Sequence, residues 1–207
     1  MKYIAHRGYS IRYKDNSIQA IYEAVERGYD GIEIDIQQCK TGEIVLYHDV
    51  YIDGQFIEDM TFDELRSKGV CSLKRLYNTI PSIRRIRLFL DIKGNHPSII
   101  TELLQFYASE SVENIFFCSF NRKLLYGLPN HFQKGSTFET TFSTTEYDTI
   151  TRNLKAVILH WTCLDHGFIA YCKMHDIRVF TYTHKEDKEL EYMKRYEVDG
   201  IITNGLT

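Results

Sequence analysis

Eight short apolar runs, spaced by longer stretches of mixed character, constrain this chain more than any other feature. They fall at residues 3–7, 31–36, 88–93, 114–120, 134–138, 156–161, 178–183 and 200–204. Ile, Val, Phe and Tyr dominate them, the residue types that fit a pleated, half-buried surface. Several of the intervening stretches carry the helical period. In 16–28, Ile18, Ile21 and Val25 lie on one face, Asn16 and Gln19 have capping-box spacing, and Gly28 can stop the helix. Residues 61–69 start with Thr61 and Glu64 at the same spacing, and 98–109 align Ile99, Leu103 and Phe106. Helices are also expected over 165–175 and 185–196, with a short one in 139–153. Residues 43–48 should pair with the extension of the second strand in a hairpin turned at Thr41-Gly42.

Strands alternating with helices predict a parallel α/β architecture. Eight of them fit a compact (β/α)8 TIM barrel, although 207 residues lie near the lower limit of that fold. A doubly wound open sheet is the competing arrangement. No low-complexity segment or Pro-rich linker divides residues 1–207, so one domain is expected.

Hydrophobic residues make up 43% of the chain, enough for a substantial core, and the net charge is −3. That balance excludes a basic nucleic-acid binder, and an anionic ligand would need a local positive site. Cys39, Cys71, Cys118, Cys163 and Cys172 have no CxxC spacing and mostly sit in apolar runs, so reduced, buried thiols in a cytoplasmic protein are expected. No apolar run reaches transmembrane length and no leader pattern precedes His6, so no stable membrane anchor is expected. Oligomeric state is not legible.

The chemistry concentrates where strands should end. In "GIEIDI", Ile32, Ile34 and Ile36 share one face, and Glu33 and Asp35 the other. Adjacent carboxylates in a buried parallel sheet are costly unless a cation compensates them. A salt-bridged pair at a strand end is the plainer alternative. "LFLDIK" repeats the pattern with Asp91 and Lys93, and "IAHRG" carries His6 and Arg7 to the same C-terminal rim, where barrels place their sites. Three carboxylates form a hard, oxygen-rich set suited to Mg²⁺ or Ca²⁺ rather than Zn²⁺. Arg7 and Lys93 beside them would attract an anion, most naturally phosphate. His6 and His48, each ending an apolar run, can act as a proton-transfer pair. Gly8 would let the backbone approach a ligand closely.

These residues together resemble the glycerophosphodiester phosphodiesterases. "IAHRGYS", then "DNSIQAIYEAVERGYDGIEIDIQQCKTGEIVLYHD", is similar to that family's opening, and "LDIK", "SFN" and "FTYT…VDGIITN" extend the likeness along the chain. The resemblance implies a distorted (β/α)8 barrel that hydrolyses glycerophosphodiesters to glycerol 3-phosphate and an alcohol with a divalent metal. It implies His6 and His48 as catalytic histidines, Glu33, Asp35 and Asp91 as metal ligands, and Arg7 and Lys93 as phosphate contacts. The insertion that follows His-Asp in that family would be shortened here, at about 50–70. Asp15, Asp91 and Asn204 depart from the family pattern, which more often has Glu, Glu and Asp. The Asp91/Lys93 pair is also similar to that of sphingomyelinase D enzymes on the same barrel, which keeps a sphingomyelinase D or lysophospholipase D-like reaction as an alternative. A non-catalytic phosphate-ligand binder is the other. His160 and Trp161 are candidates for lining the pocket, Tyr182 for stacking on the substrate, and Asn121 for a helix cap. His96, His131, His166, His175 and His184 are expected to be mostly solvated.

Overall fold

The computed structural model describes residues 1–205. Eight parallel strands run in chain order around a closed barrel. They are β1 (Lys2–His6), β2 (Gly31–Gln38), β3 (Arg87–Ile92), β4 (Ile115–Ser119), β5 (Gln133–Phe138), β6 (Ala156–His160), β7 (Arg178–His184) and β8 (Gly200–Thr203). β1 pairs with β8 on one side, Ala5 opposite Thr203, and with β2 on the other, His6 opposite Glu33. That double pairing closes the sheet and excludes the open doubly wound arrangement. The TIM barrel expected from the alternation is therefore the fold.

Side-chain alternation divides the core in two. Ile32, Ile34 and Ile36 point outward and pack with Leu73, Leu76 and Leu103 under the helices. Inside, Ile4, Phe89, Phe116, Ile158, Phe180 and Ile202 fill the barrel. Phe89 lies 4.7 Å, centroid to centroid, from Phe180 and 5.2 Å from Phe116. These rings form a floor beneath the C-terminal rim, in the way barrel interiors are packed rather than hollow. Gly135 and Gly200 make room for it: a Cβ on either would come within 3.0 Å of Ile158 or Ile4 side-chain atoms.

The helices correct the sequence expectation in three places. α1 spans Ile18–Glu26 and is capped by Ser17, whose hydroxyl accepts from the Ala20 amide, so the Asn16/Gln19 box does not form. Asn16 instead has φ +57° and turns its side chain into the barrel rim. Two helices with no clear periodic signal, Leu73–Thr79 and Arg122–Gly127, complete the ring. The second begins at Asn121, whose side chain accepts from the Lys123 amide as a cap should. Gly8 is the third case. A Cβ there would meet the α1 backbone at Ala20, 2.6 Å away, so this glycine admits the helix rather than a ligand.

Residues 44–46 pair antiparallel with the end of β2, as expected, with Ile36 opposite Leu46. A small hairpin, Tyr51–Ile52 with Gln55–Phe56, and the helix Phe62–Ser67 follow. Thr61 and Glu64 do form a capping box there. All five cysteines are free, and four are buried. His184 departs from the solvated reading: it is 5% exposed, with Nδ1 2.7 Å from the Thr203 hydroxyl. Among the described residues, no helix is long and apolar enough to cross a membrane.

Candidate active site

The register of the barrel sets the site. β2 and β3 pair so that Asp35 stands opposite Asp91, with Glu33 one inward step below Asp35. Ligand-capable oxygens of Glu33, Asp35 and Asp91 all lie within 4.8 Å of one another, and all three residues are buried. Burial, reinforced by Asp35 and Asp91, pushes the Glu33 carboxyl well above the usual carboxylate range. Asp91 is pushed up as well, mainly by burial. Burial acts in the same sense on Asp35, but Lys93, Arg7 and the Asn16 amide together outweigh it and hold that carboxyl low.

Two cations and an amide partly offset this concentration of negative charge. Lys93 Nζ lies 2.6 Å from Asp91 Oδ2 and 3.1 Å from Asp35 Oδ1. Burial would lower its pKa; Asp91, Asp35 and Glu33 more than reverse that, so it stays protonated. Arg7, at φ +59°, places its amide against Glu33 Oε2 at 3.1 Å. Its guanidinium lies between Asp15 (3.0 Å) and Asp35 (3.1 Å). The Nε–Asp35 contact is a charge contact without aligned hydrogen-bond geometry. Asn16, 2% exposed, donates to Asp35 Oδ2 at 2.8 Å and accepts from the Asp35 amide at 3.0 Å.

Asp91 Oδ1 is buried with no hydrogen-bond partner. A buried carboxylate oxygen left bare is costly. Together with three carboxylates in reach of one point and an oxygen-only donor set, it fits a hard divalent cation.

The two histidines approach from different supports. His6 ends β1, its Nδ1 2.6 Å from Asn204 Oδ1 and its Nε2 3.9 Å from Glu33. Burial, then Arg7, pulls it down to about 4, so the ring is neutral at neutral pH. His48 sits just beyond the short strand Ile44–Leu46, its side chain 41% exposed, and has Nδ1 2.7 Å from Asp49 Oδ1. Both rings line one cavity of about 230 Å³, together with Arg7, Glu33, Asp35, Asp91 and Lys93. The structure thus brings every candidate site residue to one place.

The far wall of the cavity was less legible. Phe120, Glu139, Tyr182 and Lys185 line it, and the Tyr182 hydroxyl donates to Glu139 at 3.1 Å. Tyr182 thus lines the cavity in which its ring is expected to meet substrate. His160 packs behind it, ring centroids 5.5 Å apart, and Trp161 turns to Tyr192. Asn16 is the most consequential residue passed over; its place just before α1 read as a cap. Glu139 had no signal, because it follows β5 into a stretch without period.

Comparison with known proteins points the same way. The sequence model of the glycerophosphoryl diester phosphodiesterase family matches residues 6–84. A glycerophosphodiester phosphodiesterase of Caldanaerobacter subterraneus is 26% identical over 97% of this chain and 93% of its own. Glycerophosphodiester phosphodiesterase 1 of mouse is 29% identical over 63% of this chain, which spans only 46% of the mouse protein. Among solved structures, an Oleispira antarctica phosphodiesterase in complex with its product sn-glycerol-3-phosphate superposes with a TM-score of 0.86 at 17% identity, covering 99% of this chain and 93% of that one. The glycerophosphodiester phosphodiesterase of Thermotoga maritima gives 0.84 at 21% identity, over 99% and 94%.

Proposed function

We propose that this chain is a member of the glycerophosphoryl diester phosphodiesterase family and that it hydrolyses glycerophosphodiesters to glycerol 3-phosphate and an alcohol with a divalent metal, Mg²⁺ or Ca²⁺. The observation that carries this reading is the meeting of three buried carboxylates within 4.8 Å and two histidines on one cavity. A binder of phosphate esters needs the cations and the carboxylates; it has no use for two proton-transfer groups facing the same space.

Glu33, Asp35 and Asp91 would hold the metal, which when bound polarises the phosphoryl group and offsets its developing charge. Arg7 and Lys93 orient the phosphate, each already fixed by carboxylates on its other side. One of His6 and His48 takes a proton from the nucleophile, and the other gives one to the leaving oxygen. The neutral state of His6 suits it to accept. Asn204 fixes the ring, and with its Oδ1 accepting from Nδ1–H the Nε2 lone pair faces the cavity. The nucleophile is water or the substrate's own glycerol hydroxyl. The hairpin and helix between 50 and 70 stand in this reading for the family's insertion in shortened form.

The test is release of glycerol 3-phosphate from glycerophosphocholine and glycerophosphoethanolamine, with Mg²⁺ or Ca²⁺ and with chelator, beside His6→Ala. Metal-dependent release lost in the variant is the expected result. Phosphocholine and glycerol as products would place the cleavage on the other side of phosphorus and overturn the assignment. Tight metal and phosphate binding without turnover of any diester would identify a binder.

A further inference from the structure

β2 carries Glu33 and Asp35 on its inward face, and the period of two puts Gln37 on that face as well, one step nearer the rim. Gln37 is 4% exposed and touches none of the three carboxylates through any hydrogen bond. Its side-chain amide instead donates to the carbonyls of Tyr47 and Asp49, each at 2.8 Å. Those are the two residues that flank His48. Both N–H bonds of one amide therefore clasp the backbone on either side of a proposed proton-transfer residue.

Local structure explains why a clasp is needed. The strand that delivers His48 ends at Leu46, so residues 47–49 have no ladder of their own. His48 itself is half exposed, and its ring contact is to Asp49, its neighbour in the same loop. Ordering a free loop residue costs conformational entropy. A misplacement of about 1 Å at a reacting group can cost about 10²-fold in rate. Hydrogen bonds from a buried side chain on the strand that carries two of the metal ligands tie the loop to the same rigid frame as the metal site.

We propose that Gln37 is a positioning residue that fixes His48 relative to the metal site by spanning the Tyr47 and Asp49 carbonyls. This rests on the phosphodiesterase reading above. Gln37 acts through His48 and touches neither phosphate nor metal.

The test is a cycle of four proteins: wild type, Gln37→Met, His48→Ala and the double variant. Met keeps length and apolar bulk and removes both donors. Four quantities are read: kcat and KM for glycerophosphocholine hydrolysis, Mn²⁺ affinity by titration calorimetry, and amide hydrogen exchange of segment 47–49. Gln37→Met should lower kcat about ten- to a hundred-fold, with KM and Mn²⁺ affinity within three-fold of wild type and faster exchange at 47–49. In the His48→Ala background the same substitution should change kcat less than two-fold, because what it positions is gone. An equal loss of kcat in both backgrounds, an unchanged kcat, or Mn²⁺ affinity falling with kcat would overturn the proposal. A variant that fails to fold, with Gln37→Leu failing likewise, would assign Gln37 to the fold instead. Failure of the underlying reading is separate: the wild type would then turn over no diester, while the exchange comparison would still report whether Gln37 holds the loop.

Discussion

Strands β1 to β3 bring His6, Arg7, Glu33, Asp35, Asp91 and Lys93 to one arc of the rim, whereas the opposite arc, from β4 to β8, presents Phe120, Glu139 and Tyr182. On the first arc charge is dense and partly compensated within itself: Lys93 lies between Asp91 and Asp35, and Arg7 between Asp15 and the same Asp35. On the second, aromatic surface dominates, and a Phe–Phe–Phe floor from both arcs lies beneath. The difference is one of task. In the proposed reaction the charged arc would hold the metal and the phosphate, and its carboxylates and cations lie in a buried setting, where their interactions are stronger than in water. The aromatic arc would keep that setting dry and shape the space left for the alcohol of the proposed substrate.

If the division is right, damage to the two arcs should read out differently. His6→Ala or His48→Ala should lower kcat by about 10²–10⁴-fold with unfolding midpoints close to wild type. Phe180→Ala, on the shared floor and fully buried, should do the reverse. Denaturant unfolding should show a loss of about 3–5 kcal/mol, while the folded fraction still binds Mn²⁺ at the triad. A Phe180 variant that keeps its stability would break the comparison at its base.

Asn16 sharpens it. Its amide clamps Asp35 from both sides, with Oδ1 on the backbone N–H and Nδ2 on the carboxylate. Asn16→Ala should weaken Mn²⁺ binding about 10–100-fold, the usual effect of losing a residue that orients a ligand. Calorimetric titration measures this directly, and an unchanged affinity would remove Asp35 from the ligand set. On the other arc, Tyr182→Phe removes the hydroxyl that donates to Glu139 at 3.1 Å and, at the longer distance of 3.4 Å, to the Phe138 carbonyl. One hydrogen bond contributes about 0.5–1.5 kcal/mol net, so KM should rise about two- to ten-fold while kcat holds. A fall in kcat alone would give Tyr182 a part in the chemistry that the aromatic arc is not expected to have.

The same division explains what was legible in the sequence. Strand periodicity put Glu33 and Asp35 on one face and Asp91 and Lys93 on another, and both faces are those the barrel turns inward. The parity of a strand depends on local sequence alone, so it survives without tertiary information. Asn16 was misread because the residue before a helix is ordinarily a cap, and only the φ +57° turn that sends its side chain to Asp35 says otherwise. Gln37 gave no sign, since its partners are backbone carbonyls that the sequence does not mark. Glu139 reaches the cavity through barrel closure, a long-range event. The helices Leu73–Thr79 and Arg122–Gly127 span only two turns or less, too short for a period to emerge.

The smallest effect concerns His184, on the opposite arc at the end of β7. Its Nδ1 meets the Thr203 hydroxyl, and its Nε2 is buried without a partner. Burial pulls its pKa below the ordinary histidine value; Glu189 and Asp187 oppose this, and Lys194 adds to it. The native ring is therefore neutral where the unfolded ring, with a pKa of about 6.5, has begun to protonate. Between the two values the unfolded state binds more protons, and stability must fall as pH drops through that window. His6, pulled down to about 4, acts in the same sense over a wider window. Replacing His184 by Gln removes one of the two contributions. Scanning calorimetry should find His184→Gln less stable than wild type at pH 7.5, with the gap narrowing by pH 5.5 as wild type loses the advantage of its buried neutral ring. A gap that stays constant would mean that His184 titrates alike in both states, and that the acid sensitivity of this barrel lies wholly in its charged arc.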